Sequence, residues 1–424
     1  MPSLSSDFEF RGLVHQITDP GLMRRLDDEA LTAYIGFDPT ADSLHVGSLL
    51  QIVMLRRLQE AGHRPIAVAG GATGLIGDPG GKASERVLLS VDQLAANLVG
   101  IASQLERFLD FSAGKALLLD NAAWLGSRGL LDFLRETGKH FSINQMITKE
   151  SVRSRLDREG QGISFTEFSY MLLQAADYLH LFDTEGCRLQ LGASDQWGNI
   201  TMGVELIRKV RGAEAWGLTT PLLTKTDGTK FGKTESGTVW LDSRRTSPYQ
   251  LYQFFLRSED DAVGGYLRML TFLDHEEISE LDAATSEHPE KRDAQRALAG
   301  AVCAMVHGEA EVAKAERASG ALYSESVAEL DEETLLDVFA DAPATTIARS
   351  GLDGEGFMLV DALVATGLAS SKSRARTMVE QGGAYVNNLR ADALDAKLSR
   401  NDLLADRYVV LRKGRRDYHL LRFE

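Results

Sequence analysis

Residues 34–48 combine polar, ionisable and glycine residues at the point where an apolar run passes into a helical pattern. The N-terminus of a helix presents free N–H groups and the positive end of the helix dipole, which suits a triphosphate. Gly47 has no Cβ, so a nucleotide can approach its backbone. The side chains of Thr40 and His45 can donate hydrogen bonds to phosphate oxygens. A histidine at a helix start is more often a cap or a core residue than a catalyst. The candidate residues are Tyr34, Gly36, Asp38, Thr40, His45, Gly47 and Ser48.

A glycine-rich segment, residues 70–82, follows a second apolar run. A glycine-rich turn after a strand lets a ligand come close to the backbone. The segment lacks the spacing of a P-loop, because Ala83 and not Ser or Thr follows Lys82. Asp78 is a candidate partner for the ammonium group of a ligand. A flexible surface loop is the alternative interpretation of this segment.

Lys230 and Lys233 lie three residues apart in a stretch rich in glycine and threonine, residues 224–234. A lysine ammonium is a compact cation that suits a charged leaving group such as pyrophosphate. A loop of this kind can close over a reacting ligand and open afterwards. Taken alone, the stretch fits a solvated turn equally well.

Tyr170, Gln174 and Asp177 lie four and three residues apart in a stretch with helical spacing, residues 165–181. One face of a helix can therefore present all three side chains to a ligand. The alternative is that Tyr170 and residues 171–173 are ordinary core.

Short apolar runs at residues 31–37, 65–70 and 187–191 predict buried strands. Helical spacing at residues 47–58, 130–137 and 165–181 predicts helices between them. This alternation indicates an α/β fold with a Rossmann-like parallel sheet and helices on both faces. Such sheets bind ligands at the carboxyl ends of their strands.

Changes in pattern divide the chain into five predicted regions. We expect the Rossmann-like catalytic domain at residues 1–220 and a linker with a mobile lysine loop at 221–246. Helical spacing predicts a helical domain at 247–340. A small, polar, glycine-rich stretch predicts a second linker at 341–355. A compact α+β module fills 356–424, with helices near 360–366 and 372–381 and strands at 384–387 and 407–412.

The charge of the chain bears on the partners that it can bind. The net charge is −15, which argues against a protein that coats DNA through clustered lysine and arginine. Residues 351–424, however, hold 12 Lys and Arg against 10 Asp and Glu. This local excess fits a polyanionic partner docked at one end, although a random fluctuation in charge is the alternative.

The sequence shows no sign of export or of a membrane span. No apolar run approaches the ~20 residues of such a span, and the N-terminus lacks the pattern of a secretory signal. Cys187 and Cys303 are the only cysteines. They form no C-x-x-C pair, so we expect neither a disulfide framework nor a zinc site. These features predict a protein of the reducing cytoplasm.

Together, the motifs resemble those of the class I aminoacyl-tRNA synthetases. His45-Val-Gly-Ser48 resembles the family's H-I-G-H signature, and Lys230-Phe-Gly-Lys-Thr234 resembles its K-M-S-K-S loop. The similarity is greatest to the tyrosyl-tRNA synthetases of the bacterial type. Four segments carry it, 34–48, 70–86, 163–177 and 190–199, and it extends over essentially the whole chain.

The resemblance implies a pocket for tyrosine. Tyr34 and Asp177 would hydrogen-bond the hydroxyl that distinguishes tyrosine from phenylalanine, because phenylalanine would leave those buried partners unpaired. The substrate ammonium would meet Asp78, Tyr170 and Gln174. Gln196 would contact the carboxyl region of the amino acid, and Asp195 the ribose of ATP.

The reaction that the resemblance implies is attack of the tyrosine carboxylate on the α-phosphorus of ATP, followed by transfer of tyrosine to tRNA(Tyr). The carboxylate is already ionised, so catalysis needs positioning and charge stabilisation and no general base. Mg²⁺ would accompany ATP, and we expect neither a tightly bound cofactor nor a dedicated metal site. The expected catalytic residues are Thr40, His45, Ser48, Lys82, Arg86, Lys230, Lys233 and Thr234. The expected ATP-binding residues are Gly36, Asp38, His45, Gly47, Asp195 and Lys233.

Two residues depart from the family pattern. Ser48 stands where the signature usually ends in histidine, and its hydroxyl has a shorter reach. Ala193 stands where glycine is frequent, and its methyl group narrows the approach to the ribose. We expect a modest change in ATP affinity at most.

The C-terminal module resembles a small RNA-binding module that is shared with a ribosomal protein, and the helical domain would lie on the anticodon side. Lys372, Arg374, Arg376 and Arg415 would meet tRNA phosphates, although a solvated helix face explains each residue singly. The family implies a homodimer, and the apolar residues 130–147 could form an interface or part of the core. We expect no membrane and no DNA partner.

Two rival hypotheses remain at this point. The first is activation of tryptophan on the same fold, against which Tyr34 and Asp177 argue because indole offers no hydroxyl. The second is an RNA-binding protein that derives from a synthetase and lacks catalysis.

Overall fold

The computed structural model describes residues 2–79, 89–157, 162–226, 228–229, 231–234, 237–321, 325–340, 342–354, 356–414 and 417–424. The chain divides into two compact units. The first comprises Met1–Thr246 with Phe255–Val306, and the second comprises Ser247–Phe254 with His307–Glu424.

A six-stranded sheet forms the centre of the first unit, in the order β1-β6-β5-β2-β3-β4. All neighbouring strands are parallel except β1, which pairs antiparallel with β6 at the edge. The strands predicted at 31–37, 65–70 and 187–191 are present as β2, β3 and β5, and the predicted fold class is confirmed. The strands are β1 Gln16–Ile17, β2 Thr32–Phe37, β3 Arg64–Ala69, β4 Leu117–Asp120, β5 Cys187–Ala193 and β6 Trp216–Thr220.

Helices cover this sheet, and the three that the periodicity predicts are present as α3, α6 and α9. Apolar residues of α3 are fully buried at Leu49, Ile52 and Val53, because they recur on the face that meets the sheet. The helices are α1 Leu4–Phe10, α2 Leu22–Asp28, α3 Val46–Glu60, α4 Val91–Phe108, α5 Ala122–Leu125, α6 Leu130–Glu136, α7 Ile143–Met146, α8 Glu150–Leu156, α9 Phe165–Glu185 and α10 Trp197–Arg211.

The order of the strands creates a site at one edge of the sheet. From β2 the chain proceeds outward through β3 and β4, whereas β5 lies on the other side of β2 and is followed by β6. The direction of winding therefore reverses between β2 and β5. Ligands of open parallel sheets bind outside the carboxyl ends of the strands at such a switch point.

The boundaries of the predicted helical domain, 247–340, differ from the division of the structure, because residues 255–306 belong with the sheet. Two buried arginines explain this grouping. Arg11 donates to the carbonyl of Leu273 at 2.6 Å, and Arg57, at the end of α3, donates to the carbonyl of Thr271. The elements after the sheet are β7 Lys233–Thr234, β8 Gly237–Thr238, α11 Pro248–Leu256, α12 Asp260–Leu270, α13 His275–Glu287 and α14 Asp293–His307.

The second unit contains a five-stranded sheet in the order β12-β11-β14-β15-β9. The two helices and two strands predicted after residue 356 are present as α17, α18, β11 and β14. The elements are α15 Glu309–Ala321, α16 Glu332–Val338, β9 Ala344–Ile347, β10 Phe357–Met358, α17 Leu359–Ala365, α18 Lys372–Glu380, β11 Ala384–Val386, β12 Leu389–Arg390, β13 Lys397–Leu398, β14 Tyr408–Lys413 and β15 Asp417–Phe423.

The predicted linker at 341–355 differs from the structure, because it contains β9. This strand pairs in parallel with β15, and its run of β-branched residues, Thr-Thr-Ile, fits a strand. Val327 and Leu335, which precede the linker, share one core with Tyr408 and Leu420, which follow it. Removal of residues 351–424 would therefore expose apolar surface in the remaining chain.

Candidate active site

A cavity of about 240 Å³ opens at the carboxyl ends of β2 and β5. Its lining includes nine of the residues that the sequence predicts for substrate binding, which come from four separate parts of the chain. Those nine are Tyr34, Gly36, Asp38, Asp78, Tyr170, Gln174, Asp177, Asp195 and Gln196. The structure thus brings together side chains that lie up to 162 positions apart in the sequence.

The helix α9 supplies three of these side chains from one face, as the spacing predicts. Tyr170, Gln174 and Asp177 all line the cavity. The helix begins where the Ser164 hydroxyl accepts a hydrogen bond from the backbone N–H of Glu167, which satisfies one of its free N–H groups. Residues 171–173 have no place in the lining, so the predicted core role and the predicted ligand role apply to different faces of α9.

Tyr34 and Asp177 form a buried polar end of the cavity. The Tyr34 side chain is 1% exposed, and among the described residues its hydroxyl has no hydrogen-bond partner. Burial raises the pKa of Tyr34 well above its usual value, and the neighbouring Asp177 carboxylate adds to the rise. A buried hydroxyl without a partner is costly, so a ligand that bonds to it gains affinity.

Two donors hold the Asp177 carboxylate. Trp124 Nε1 donates to its Oδ1 at 2.7 Å, and Asn121 Nδ2 donates to its Oδ2 at 2.9 Å. Burial nevertheless raises the pKa of Asp177 to about 7, because desolvation outweighs these two hydrogen bonds. The carboxyl group is therefore oriented, and it titrates near neutral pH.

Asp38 organises the adjoining wall of the cavity. The Tyr170 hydroxyl donates to Asp38 Oδ2 at 2.9 Å, and the Thr73 hydroxyl donates to Asp38 Oδ1 at 2.9 Å. Asn121 also donates to the Thr73 oxygen, at 3.0 Å, and so links this wall to Asp177. Burial, followed by the charge of Asp38, raises the pKa of Tyr170 well above its usual value.

Asp78 and Gln196 are in contact in the lining of the cavity. Gln196 Nε2 donates to Asp78 Oδ2 at 2.6 Å, and Asn199 Nδ2 donates to Gln196 Oε1 at 3.1 Å. Asp78 is only 7% exposed, so a carboxylate faces the cavity from a fixed position. Such a group can accept hydrogen bonds from an ammonium group of a ligand.

Two of the segments that are predicted to bind ATP, the start of α3 and the segment around Gly232, lie against each other. A Cβ on Gly47 would come within 2.9 Å of the His45 ring and 3.7 Å of the Phe231 carbonyl oxygen. Gly232 has a φ of +84°, and a Cβ there would collide with Val46. Val239 bridges the two segments, because its carbonyl accepts from Val46 at 3.1 Å and its N–H donates to Gly232 at 2.9 Å. The start of α3 and the segment that bears Lys233 therefore share one location.

The remaining predicted residues have other positions. Thr40 is exposed and Ser48 is half-buried, and neither they nor His45 and Gly47 line the cavity. Lys82, Arg86, Lys230 and Arg415 lie outside the described residues, and for Lys233 and Thr234 the structure describes the backbone of β7.

The residues predicted to bind tRNA lie in the second unit, apart from the cavity-lining residues in the sequence. Lys372 begins α18, and its Nζ lies 2.7 Å from Asp361 Oδ1. Arg374 and Arg376 are exposed on the same helix, whose opposite face buries Ala375 and Val379.

Several residues that build the site were not predicted from the sequence, among them Thr73, Asn121 and Trp124. Asn121 comes directly after β4, a four-residue strand that the hydropathy pattern did not reveal. Had that strand been predicted, the rule that ligands bind at carboxyl ends would have indicated Asn121. Nothing in the sequence distinguishes Trp124 from an ordinary core residue.

Two further properties of the described residues bear on the class of site. Among them, no group of three or more His, Cys, Asp or Glu side chains is arranged to hold a metal ion. Across the same part of the chain, every helix is too short or too polar to cross a membrane.

Comparison with known families defines the class of protein. The model for the class I tRNA synthetases (W and Y) matches residues 26–324, and the model for the tyrosine–tRNA ligase SYY-like C-terminal domain matches residues 334–421. The chain belongs to the class I aminoacyl-tRNA synthetases of the tryptophan and tyrosine type, and it is therefore an enzyme of that class.

Individual relatives narrow this assignment. The chain is 54% identical to a tyrosine–tRNA ligase of Roseiflexus castenholzii, over 100% of both chains. It is 51% identical to one of Opitutus terrae, over 99% of each chain. The solved structure of a C-terminally truncated mitochondrial tyrosyl-tRNA synthetase of Aspergillus nidulans aligns with a TM-score of 0.68 and 33% identity, and covers 76% of this chain and 95% of that one. Within its class, the chain belongs to the bacterial-type tyrosyl-tRNA synthetases.

Proposed function

We propose that the protein activates L-tyrosine with ATP, forming tyrosyl-adenylate and pyrophosphate, and then transfers the tyrosyl group to the 3′ end of tRNA(Tyr). The observation that carries this proposal is the buried Tyr34 hydroxyl, which has no partner among the described residues, in the same cavity as Asp177. A phenol entering the cavity can donate to the Asp177 carboxylate and accept from Tyr34. A phenyl ring would leave the Tyr34 hydroxyl unpaired, and an indole N–H is a donor only, so it cannot replace a hydroxyl that donates to Asp177 and accepts from Tyr34.

The opposite end of the amino acid would meet a second set of polar groups. Its ammonium group would lie among Asp78, Tyr170 and Gln174, where two carboxylates, those of Asp38 and Asp78, create a negative region. Gln196, held between Asp78 and Asn199, would contact the carboxyl region. This placement directs the carboxylate of the amino acid toward the exposed nucleotide end of the site.

Chemistry at that end would proceed by attack of the tyrosine carboxylate oxygen on the α-phosphorus, which breaks the bond to pyrophosphate. Asp195 and Gly36 would contact the adenosine, and Thr40 and His45 would donate to the triphosphate. The lysines and the arginine predicted at 82, 86, 230 and 233 would stabilise the leaving pyrophosphate. Mg²⁺ would reach the site on the phosphate oxygens of ATP, as it does in many nucleotide sites. The ribose hydroxyl at the end of the tRNA would then attack the adenylate carbonyl.

Pyrophosphate exchange measured separately with each of the twenty amino acids tests the proposal. We expect exchange with tyrosine and less than about 10⁻³ of that rate with phenylalanine. Exchange that depends on tryptophan would replace the assignment with the rival synthetase. Exchange with none of the twenty would favour a non-catalytic RNA-binding protein.

The exposed cations of α18 would bind tRNA phosphates. A protein in which Lys372, Arg374 and Arg376 are all changed to glutamine should have a KM for tRNA at least about tenfold higher and a weaker salt dependence. Tyrosine-dependent pyrophosphate exchange should be unchanged. Arg400→Gln is the control, because this arginine is exposed in the same unit and is paired with Asp353. An equal effect of the control would refute the assignment to α18.

We also propose a homodimer with an interface near α6 and α7. Leu130, Leu131 and Ile143 are 70%, 79% and 59% exposed, which is unusual for neighbouring apolar residues unless they meet a partner. In sedimentation velocity, Leu131→Asp should shift the enzyme toward the monomer. Val99→Asp, which changes a valine of 72% exposure on α4, should leave the dimer intact. A monomeric wild-type enzyme would refute this proposal.

We place the enzyme in the cytoplasm, where the thiols of Cys187 and Cys303, both buried, would stay reduced. Cell fractionation with an antibody to the protein tests this location.

A further inference from the structure

His180 stacks on the indole of Trp124, behind the amino-acid end of the cavity. The two ring centroids are 4.4 Å apart and the ring planes differ by 14°. The edge of the same indole donates from Nε1 to Asp177 at 2.7 Å. Neither His180 nor Trp124 lines the cavity, so neither would touch the substrate.

The helix α9 therefore contacts Trp124 at two points. Asp177 and His180 are three residues apart on α9 and point to the same side. The carboxylate fixes one edge of the indole, and the imidazole fixes its plane. A single hydrogen bond would leave the indole free to tilt about that bond, whereas a hydrogen bond and a stacked ring together define its orientation.

We propose that His180 is a positioning residue for amino-acid selection: its ring holds the plane of Trp124, so that the indole N–H stays on the Asp177 carboxylate that recognises the substrate hydroxyl. This inference rests on the function proposed above. It adds His180 to the residues that recognise tyrosine, although His180 contacts Trp124 and would not contact the ligand.

The local structure around Trp124 explains why such support is needed. Trp124 belongs to α5, which has four residues, and is followed by Leu125 and then by Gly126 at the C-cap. So short a helix contributes little rigidity of its own. The indole is only half-buried, so tertiary contacts must supply the rest of its order. Within the described residues, the imidazole is the aromatic ring that stacks on it.

Burial of His180 favours a neutral ring. Burial lowers the pKa of His180, and the positive charge of Arg128 lowers it further, whereas Asp183 and Glu185 on α9 oppose the shift. The imidazole thus stacks on the indole without a charge at neutral pH. Asp177, in turn, owes part of its acidity to the Trp124 hydrogen bond, which lowers its pKa against the effect of burial.

Substitution of His180 separates this role from a merely structural one. His180→Ala removes the stack and favours the helix, because alanine has the higher helix propensity. We expect the KM for tyrosine to rise about three- to tenfold, the range that loss of one aromatic pair predicts, with kcat and the KM for ATP within about twofold of wild type. Exchange with phenylalanine should stay constant, so the preference for tyrosine should fall by the same factor. His180→Phe should restore it, since a phenyl ring can stack in the same place.

The pH profile supplies a second readout. If Trp124 loses its hold on Asp177, the pKa of that carboxyl rises, and the pH at which kcat/KM for tyrosine is half-maximal should move upward in His180→Ala. A structural defect elsewhere would lower activity without moving this midpoint. Thr184→Ala is the control on the same helix, because within the described part of the chain the Thr184 hydroxyl donates to the His180 carbonyl alone, and its profile should match wild type.

A double-mutant cycle with Trp124→Phe tests whether His180 acts through the indole. The phenyl ring keeps apolar volume and lacks the N–H donor, so in this background His180→Ala should not reduce the preference for tyrosine further. Fully additive effects, failure of His180→Phe to restore selectivity, or an unchanged KM in His180→Ala would each overturn the inference. A wild-type enzyme without tyrosine-dependent exchange would instead overturn the proposed function itself.

Discussion

The two ends of the candidate site are built in different ways. At the amino-acid end, Tyr34, Tyr170 and Asp177 are 1%, 6% and 4% exposed, and a continuous set of hydrogen bonds connects Asp177 through Asn121 and Thr73 to Asp38. At the nucleotide end, Gly36, Thr40 and Asp195 are exposed.

This contrast in burial indicates which end of the site selects the amino acid. A polar group that is buried before the ligand arrives penalises every ligand that fails to pair with it, by about 1–3 kcal/mol for each group. An exposed group is paired with water in either case and discriminates little. The buried end is therefore suited to choose one amino acid, and the open end to bind and activate a nucleotide that every enzyme of this class shares.

Asp177→Asn should cause the largest loss of activity with tyrosine. The amide would bring its NH₂ group against Trp124 or Asn121, both of which already donate to this position. We expect kcat/KM for tyrosine to fall about 10²- to 10³-fold, with a much smaller change for phenylalanine. Pyrophosphate exchange with both amino acids measures this. A loss of less than tenfold for tyrosine would mean that the selective group lies elsewhere.

His45→Ala should impair catalysis at the nucleotide end and leave the binding of tyrosine unchanged. A donor that acts on the triphosphate in the transition state contributes to kcat and not to binding of the amino acid. We expect kcat for adenylate formation to fall about 10²-fold while the KM for tyrosine stays within about twofold. A higher KM for tyrosine with an unchanged kcat would show that the two ends are not separate.

The pH dependence of selection should follow Asp177. Because its pKa is raised to about 7, the carboxyl is neutral below that pH and an ionised acceptor above it. The ratio of kcat/KM for tyrosine to that for phenylalanine should be about tenfold lower at pH 6 than at pH 8. Taking the ratio removes the titration of ATP itself, and a flat ratio would contradict the prediction.

The same carboxyl should reduce stability at high pH. Its pKa is about 7 in the folded protein against 3.8 in the unfolded chain, so folding favours the protonated form. The penalty is absent below about pH 4, grows as the pH rises toward 7 and is then constant. Three pKa units bound it at about 4 kcal/mol. The difference in Tm between Asp177→Asn and wild type, measured by calorimetry, should therefore be more favourable to the variant at pH 8 than at pH 5.

Ser48→Ala should have the smallest effect. Ser48 is half-buried near the start of α3 and lies outside the lining of the cavity. We expect adenylate formation to fall less than about tenfold. A loss of more than about 10³-fold, about 4 kcal/mol in the barrier, would show that this serine replaces the usual histidine in full.

Periodicity and local motifs predicted the parts of the fold that a single element defines. The spacing of Tyr170, Gln174 and Asp177 placed them on one helix face, and apolar runs located β2, β3 and β5. The strands β4 and β6 were missed because they are short or lie between stronger helical patterns. The sequence predicts a linker where β9 lies, because small and polar residues surround this strand and its partner residues in β15 lie 76 positions further on.

The support of the site could not be predicted from the sequence, because it depends on contacts between distant segments. Trp124 and Asp177 are 53 residues apart, and each looks ordinary in its own surroundings. The same holds for Arg57, whose hydrogen bond to the Thr271 carbonyl connects α3 to residues 255–306 within the first unit. Long-range pairings of this kind have no period and no motif.

The helix that opens at His45 is fastened at both of its ends. Its first turn is hydrogen-bonded to Val239 and packed on Gly232, and Arg57 in its last turn is tied to Asp7 and to the Thr271 carbonyl. A helix that is held at both ends resists both tilting and sliding. If the residues around a nucleotide change their spacing during turnover, the movement would come from the β7–β8 hairpin beyond Gly232 and Val239. The helix α3 itself would stay in place, because it is held at both ends.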